Sequence, residues 1–159
     1  MINHIRRQFS ARPFNILGVQ QVAIGGLSKQ NLTNFWTEHM GLQKEFEMHS
    51  TKENTDEDML VMGKGVLGTV ALSLMEPLDP EKSPKVHKPA LNHIGLWVDD
   101  LPKAVEYLEG QDIKCVGGIR AGAHGHDLTF IHPKSACGTL IELVQAPSEV
   151  IDEYSKNEK

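Results

Sequence analysis

Two residues with reactive side chains lie in segments that are predicted to form buried strands. His93 alternates with aliphatic residues in LNHIGLWVDD (91–100), so it faces away from the side that those residues bury. Glu142 lies between Ile141 and Leu143, where a carboxylate is costly unless it is paired, protonated or bound to a metal. Imidazole and carboxylate are both good ligands for divalent metals. The pair predicts either a metal site or a hydrogen bond between the two side chains across a sheet.

The elements that position these residues follow the same order twice. Alternation predicts a strand over 18–26, followed by a helix with Ser28 as its N-cap and Gly41 at its C-terminus. The strand at 91–100 is again followed by a helix, which ends at Gly110. Three more strands are predicted after each helix: 42–50, 58–64 and 69–76 in the first half, and 113–119, 127–133 and 139–145 in the second.

This order predicts an α+β fold of two tandem βαβββ modules that form an open curved sheet around a central cavity. One helix can cover only one face of a four-stranded sheet, so the other face is left to line the cavity. The predicted organisation is a basic N-terminal arm (1–15), a core (16–147) with modules at 16–76 and 91–147, a Pro-rich linker (77–90) and a polar C-terminal tail (148–159).

The doubled order, with Asn-His-Ile-Gly opening the second half and Leu-Ile-Glu-Leu closing it, resembles the vicinal oxygen chelate superfamily. That superfamily includes glyoxalase I, methylmalonyl-CoA epimerase, extradiol dioxygenases and small resistance proteins. Its members hold a divalent metal with four side chains from the first and last strands of each half. The positions that match are Gln21, Ser73, His93 and Glu142.

The resemblance implies a metal site with at most three protein ligands: Gln21, His93 and Glu142. Gln21 offers an amide oxygen, whereas the hydroxyl of Ser73 is a poor ligand for a transition metal. The implied cofactor is Zn, Ni, Co or Fe. The departure at Ser73 is compatible with an open catalytic site and equally with a damaged one.

The resemblance implies three alternative functions. Gln21, His93 and Glu142 match three of the four ligands of eukaryotic-type glyoxalase I, which favours a lactoylglutathione lyase-like enzyme. The segment FIHPKSACGTLIELVQAP (130–147) resembles methylmalonyl-CoA epimerase. In both enzymes a carboxylate removes a proton next to a carbonyl, and Glu142 is the candidate base. A non-catalytic small-molecule-binding protein is the third alternative, and Ser73 favours it.

Several further residues are weaker candidates. The acidic loop 53–58 is interpreted as a solvated connection. The Gly-rich segment 117–127 is interpreted as a flexible loop, with a lid or anion clamp over the cavity as the functional alternative. Trp97 shares a strand face with His93. The candidate substrate contacts are Trp97, Arg120, His126, His132 and Lys134, with His124 in the same Gly-rich segment as His126. The candidates for a second carboxylate are Glu45, Glu47 and Glu53.

Composition limits the partners. The 159 residues include 16 Lys+Arg and 21 Asp+Glu, a net charge of −5, which argues against a general nucleic-acid role. The apolar runs are too short to cross a bilayer. Two cysteines, Cys115 and Cys137, are too few for a disulfide framework and suit a reducing compartment. We therefore expect a cytoplasmic protein that binds a small molecule, which the resemblance implies is a glutathione or CoA thioester. The pairing edges and open faces of such a sheet predict a homodimer. The alternative location is mitochondrial, if 1–15 is a presequence.

Overall fold

The computed structural model describes residues 12–122 and 125–157. Within these residues the chain forms eight strands, three α-helices and two short helical turns. In chain order they are β1 (Ile16–Gly25), α1 (Lys29–Asn34) with a π-helical turn (Phe35–His39), β2 (Gln43–Ser50), β3 (Thr55–Met62), β4 (Val70–Pro77), β5 (Leu91–Val98), α2 (Leu101–Glu109), β6 (Cys115–Ala121), β7 (Asp127–Ile131), a 3-10 turn (Pro133–Ser135), β8 (Leu140–Gln145) and α3 (Ser148–Asn157).

All eight strands belong to one mixed sheet in the order β2-β3-β4-β1-β5-β8-β7-β6. β1 pairs in parallel with β4, and β5 pairs in parallel with β8; the antiparallel β1–β5 pair joins the two halves. The two parallel pairs have the same register. Ala23 of β1 lies opposite Ser73 of β4, and Gly95 of β5 lies opposite Glu142 of β8. The predicted α+β fold of two tandem modules is confirmed.

The helices α1 and α2 each cover the outer face of their own half of the sheet. Leu32 and Trp36 pack on a buried cluster that includes Leu60 and Leu72, while Leu101 and Ala104 of α2 are buried against Leu143 and its neighbours. The inner face of the sheet is thereby left free to form a cavity. None of the described helices is long and apolar enough to cross a membrane.

The predicted N-cap Ser28 and the predicted helix ends at Gly41 and Gly110 are confirmed. The Ser28 side chain accepts a hydrogen bond from the Asn31 N–H, and Asp100 accepts one from the Lys103 N–H at the start of α2. Gly41 has a φ of 76°, in the left-handed region that favours glycine.

The segments that flank the core pack against it. Residues 1–11, most of the predicted basic arm, lie outside the described residues, but Phe14 is buried against α2. The predicted polar tail forms the helix α3, whose Val150 is buried with Leu17 and Ala146. A polar helix can pack in this way because an apolar stripe on one face is sufficient.

Two predicted loops are partly strand. The acidic segment 53–58 was expected to be a solvated connection, but β3 begins at Thr55 and turns Glu57 into the cavity. The Gly-rich segment 117–127 was expected to be a flexible loop, but β6 extends through Ala121. His124 lies outside the described residues.

The linker 77–90 forms one wall of the cavity. The Asn54 side-chain amide donates hydrogen bonds to the carbonyl oxygens of Asp79, Lys82 and Pro84, at 2.8, 3.3 and 3.2 Å. These bonds hold the linker over the inner face of the sheet, where Val86 lines the cavity.

Candidate active site

A cavity of about 690 Å³ lies on the inner face of the sheet, and both halves contribute to its lining. The three predicted metal ligands, Gln21, His93 and Glu142, line it together. Gln21 comes from β1, His93 from β5 and Glu142 from β8, three neighbouring strands at the centre of the sheet. Ser73 is fully buried on β4.

Gln21 bridges the other two predicted ligands. Its amide N–H groups donate to Oε2 of Glu142 at 2.7 Å and to Nε2 of His93 at 2.8 Å. The His93 Nε2–Glu142 Oε2 distance is 3.7 Å, so the alternative of a direct hydrogen bond between them is not what the structure shows. Because Nε2 of His93 accepts, the ring proton is on Nδ1, which donates to Oδ1 of Asn92 at 2.9 Å.

Burial sets the charges of both groups. Desolvation lowers the pKa of His93 to about 4, so the imidazole is neutral at physiological pH. Desolvation, and secondarily the charge of Glu57, raises the pKa of Glu142 to about 7. Glu142 is therefore able both to accept and to donate a proton near neutral pH.

Glu57 is a second cavity carboxylate that sequence reasoning missed. It is 8% exposed, and its Oε1 accepts a 2.5 Å hydrogen bond from the Ser73 hydroxyl. Burial raises the pKa of Glu57, while the bond from Ser73 opposes this shift. Glu57 shares a strand face with Met59, opposite the face of Leu60, but the sequence prediction began this strand only at residue 58. Of the three candidates proposed from the sequence, Glu45 and Glu47 are exposed, whereas Glu53 lines the cavity.

The absence of a side chain at Gly95 leaves room for Gln20, Gln21 and Glu142. A Cβ at this position would lie 2.7 Å from Gln20 Oε1, 2.8 Å from Gln21 Cγ and 3.2 Å from Glu142 Oε2. The β1–β5 register shifts between Val19 and Gln21. Since the side chains of both Gln20 and Gln21 approach Gly95, the irregularity in β1 brings two adjacent glutamines to the same site.

The side chains of this site could bind a divalent metal only if Gln21 is one of the ligands. Among the described residues, no group of three or more His, Cys, Asp and Glu side chains could hold a metal ion. Gln21 Oε1, however, is buried without a hydrogen-bond partner. That oxygen, the neutral His93 imidazole and the Glu142 carboxylate make a three-donor set, whereas the Ser73 hydroxyl is engaged by Glu57.

Comparison with known proteins agrees with this architecture. The family model of the Glyoxalase/Bleomycin resistance protein/Dioxygenase superfamily matches residues 20–130, more than two thirds of the chain. The chain belongs to this superfamily. The vicinal oxygen chelate resemblance that the sequence suggested is confirmed.

Its relatives in the superfamily include epimerases. Human mitochondrial methylmalonyl-CoA epimerase is 34% identical over 87 residues, covering 50% of this chain and 49% of that protein. The Dictyostelium discoideum mitochondrial enzyme is 41% identical over 54 residues, covering 33% of this chain and 32% of that protein. The matches thus span half or less of these curated relatives. Streptomyces coelicolor methylmalonyl-CoA epimerase, in complex with 2-nitronate-propionyl-CoA, shares the fold: the TM-score is 0.75 at 20% identity, covering 84% of this chain and all of that one.

The weaker site predictions for this superfamily member have mixed outcomes. Arg120 lines the cavity. Trp97 packs instead on the cluster beneath α3 and contacts the His126 ring edge-on at 5.2 Å. His126 does not line the main cavity; it borders a small adjoining pocket that shares Glu142 with that cavity. His132 and Lys134 lie at the turn before β8 and do not line the cavity.

Proposed function

We propose that this chain is an epimerase that inverts the carbon next to the carbonyl of a CoA thioester. The names of the relatives favour this alternative over the lactoylglutathione lyase hypothesis, which has support only from membership of the superfamily. The Streptomyces enzyme with the same fold is described in complex with a CoA thioester analogue. Sequence matches to the curated epimerases cover half of this chain or less, so the activity itself is our inference.

The observation that carries the proposal is a pair of buried carboxylates, one from each half of the sheet. Glu57 lies on β3 and Glu142 on β8, with β4, β1 and β5 between them. Both side chains line the same cavity, and both pKa values are raised by burial. Inversion of a carbon requires a base on one face and an acid on the other, which two opposed carboxylates can provide.

The chain's own groups support a two-carboxylate mechanism. With the pKa of Glu142 at about 7 and that of Glu57 raised, the pair can hold one proton near neutral pH. The ionised carboxylate removes the proton next to the thioester carbonyl, and the protonated one returns a proton to the opposite face. Gln21 holds Oε2 of Glu142, and Ser73 holds Oε1 of Glu57, so both are oriented before substrate binds.

A divalent metal would be held by Gln21, His93 and Glu142, as the resemblance implied; the Gln21 amide would have to turn so that its Oε1 replaces the Nε2 that faces the other two side chains. When bound, it would supply positive charge for the enolate oxygen that forms as the proton leaves. His93 is suited to ligation because burial keeps its imidazole neutral and Asn92 fixes the tautomer.

Solvent exchange at the reacting carbon tests the proposal. Each epimer of methylmalonyl-CoA is incubated separately in D2O with the purified protein, and both deuterium content and configuration are measured. We expect the wild type to exchange and invert both epimers. Glu57→Gln and Glu142→Gln should each exchange one epimer with retention, and they should act on opposite epimers, because each variant keeps one base.

A second assay, in which the protein is also given the methylglyoxal–glutathione adduct, separates the three alternative functions. Turnover of the methylglyoxal–glutathione adduct, without exchange of the CoA thioester, would support the lyase hypothesis. Binding of either compound without turnover would indicate a non-catalytic binding protein. If both single variants lose exchange of the same epimer, the two-carboxylate mechanism is wrong.

The homodimer and the compartment remain predictions. The human and Dictyostelium relatives are named as mitochondrial, whereas this sequence predicts a cytoplasmic protein unless 1–15 directs import. Light scattering of the purified chain at micromolar concentration tests the dimer. A fluorescent fusion with and without residues 1–15 tests the location.

A further inference from the structure

A chain of hydrogen bonds runs from Gln21 to the linker that joins the two halves. Gln21 donates to Nε2 of His93, Nδ1 of His93 donates to Oδ1 of Asn92 at 2.9 Å, and Nδ2 of Asn92 donates to the Val86 carbonyl oxygen at 2.9 Å. A carbonyl oxygen can only accept, so it determines which end of the Asn92 amide faces it. The other end, Oδ1, then faces His93 and requires the ring proton to lie on Nδ1.

The linker end of this chain is the one that would remain when a metal binds. Gln21 also favours the proton on Nδ1, because its amide N–H faces Nε2 of His93. To offer Oε1 to a metal, however, the Gln21 amide would have to turn, and its bond to His93 would be lost. The bonds made by Asn92 do not involve Gln21. They would then keep the lone pair of Nε2 directed into the cavity.

The Val86 carbonyl is held in place by its packing. A Cβ at Gly25, the last residue of β1, would overlap with the Val86 oxygen, so only glycine permits this close approach. The Gly25 N–H also donates to the carbonyl of Ala90, at the other end of the same linker segment, at 2.7 Å. The Val86 side chain is buried with Ala23 and Met75. The linker backbone is therefore fixed against the ends of β1 and β4.

Asn54 anchors the linker to the first half of the chain. Besides donating to the carbonyls of Asp79, Lys82 and Pro84, its side chain accepts a hydrogen bond from the Asp79 N–H at 2.9 Å. Asn54 is 5% exposed, and its φ of 51° lies in the left-handed region, where asparagine is enriched among residues other than glycine. It precedes β3, which β4 and β1 separate from β5, so the linker is the connection between Asn54 and His93.

We propose that the linker is a positioning element for His93: Asn54 holds it over the sheet, and its Val86 carbonyl orients Asn92 so that Nε2 of His93 keeps its lone pair toward the cavity. Asn54 and Asn92 are thus positioning residues. This inference rests on the proposed role of His93 as a metal ligand, but it concerns a property of the metal-free protein. Without the linker contact the Asn92 amide can turn, and the ring proton can move to Nε2, where it prevents ligation.

The position of the ring proton tests the linker directly in metal-free protein. Gln21→Leu removes the other group that favours Nδ1 and leaves Glu142 as an acceptor near Nε2, so only the linker should then keep the proton on Nδ1. NMR of isotope-labelled histidine in EDTA-treated protein distinguishes the two tautomers, and a spectrum of His93→Gln assigns the signal. Adding Asn54→Gly, which tolerates the same φ but loses the side chain, should move the proton to Nε2 in a measurable fraction of the molecules.

Cobalt binding by the otherwise wild-type protein tests the same chain of contacts. Asn54→Gly should weaken it by on the order of tenfold, as loss of an outer-shell partner usually does. A carboxylate can only accept, so Asn92→Asp should keep the proton on Nδ1 without the linker, and Asn54→Gly should have no further effect in that background. A general loss of structure would weaken binding in both backgrounds. Glu81→Gln, which removes the exposed Lys85–Glu81 ion pair within the linker, is the matched control and should leave cobalt binding unchanged.

The outcomes separate this inference from the proposed function. A proton on Nε2 in Gln21→Leu alone, or one that stays on Nδ1 after Asn54→Gly is added, would overturn the role of the linker. Equal weakening of cobalt binding with and without Asn92→Asp would overturn the path through Asn92. Asn54→Asp, which keeps the side-chain shape but cannot donate to the three carbonyls, takes the place of the glycine variant if thermal unfolding shows that the latter is unfolded.

The tautomer and the metal can also give different answers. If the ring proton responds as expected, but the wild type neither binds cobalt nor exchanges the proton of methylmalonyl-CoA, the proposed function fails and the role of the linker does not.

Discussion

The two halves of the sheet share their topology but arrange their acids differently. In the second half, His93 and Glu142 occupy β5 and β8; in the first half, the equivalent positions on β1 and β4 hold Gln21 and Ser73. The first half instead has Glu57 on β3, opposite Met75. The position equivalent to Glu57 in the second half is occupied by Leu128 of β7, opposite Val144.

Each half therefore contributes one buried carboxylate to the cavity, but from a different strand. In the first half the carboxylate lies on β3 instead of β4, which explains why a serine is compatible with the fourth ligand position of the superfamily. Ser73 is short enough to leave space for Glu57 and donates a hydrogen bond to it. A longer acid at position 73 would meet Glu57 in a buried site, where two like charges are strongly disfavoured. Under the proposed function, the first half would supply Glu57 for proton transfer and Gln21 as a metal donor, whereas in the second half Glu142 would serve in both roles.

The largest expected effect comes from making the first half resemble the second. The double variant Glu57→Leu/Ser73→Glu supplies a fourth ligand and removes one base. We expect the rate of epimerisation to fall by roughly 10²–10⁴, the usual cost of losing a positioned acid–base group. Affinity for cobalt should rise by at least about tenfold, as a change of ligand environment typically gives.

The single variants separate these two effects. Glu57→Leu alone should lose the same activity without the gain in cobalt affinity measured by calorimetry. Ser73→Glu alone should lower the unfolding midpoint, because the new carboxylate faces Glu57. Unchanged metal affinity in the double variant would contradict the equivalence of positions 73 and 142.

The next effect concerns the glycine at the centre of the site. Gly95→Ala should lower kcat by on the order of 10²-fold, because the added methyl displaces Gln21 and Glu142 and small displacements of reacting groups cost about this much. Gly18→Ala, in the neighbouring strand, is the matched control, since no atom lies within 4 Å of a Cβ at that position. Equal activities for the two alanine variants would show that the packing around Gly95 does not position the site.

The strand-and-helix order could be predicted because it depends on local patterns. The cap Ser28 and the alternation in β1 and β5 depend only on neighbouring residues. Gln21, His93 and Glu142 could be placed together because the repeat fixes their strand positions. Glu57 could not, since the segment 53–58 is acidic on both strand faces: Asp58 pairs with Lys29 and Lys44 on the outer face, while Glu57 turns inward. The order of the strands across the sheet, which brings Arg120 to Glu53, is a long-range property that no local pattern encodes.

A smaller effect concerns the stability cost of the second half's carboxylate. Glu142 is 4% exposed, and its pKa is raised from 4.5 to about 7. Below pH 4.5 the group is protonated in both folded and unfolded chains; as pH rises to 7, ionisation in the unfolded chain increasingly favours unfolding. Above pH 7, the raised pKa of Glu142 lowers the free energy of unfolding by about 3 kcal/mol.

Glu142→Gln should therefore be more stable than the wild type at pH 8 and similar to it at pH 4. The amide oxygen of the variant still accepts the hydrogen bond from Gln21, so the comparison isolates the charge. Urea unfolding at several pH values measures the difference, and a pH-independent offset between the two proteins would argue against the raised pKa.

The smallest expected effect compares two basic residues of the second half, Arg120 and Lys134. Both were sequence candidates for substrate contact, but the Lys134 side chain is exposed at a turn that does not line the cavity. Its structural contact is made by the backbone, because the Lys134 N–H donates to Nδ1 of His132 at 3.1 Å, and alanine retains that group. Lys134→Ala should therefore change kcat/KM and unfolding free energy by no more than about twofold and 0.5 kcal/mol, as is usual at surface positions. A rise in KM for CoA thioesters well above that range, without a change in kcat, would instead show that the turn before β8 reaches the CoA phosphates.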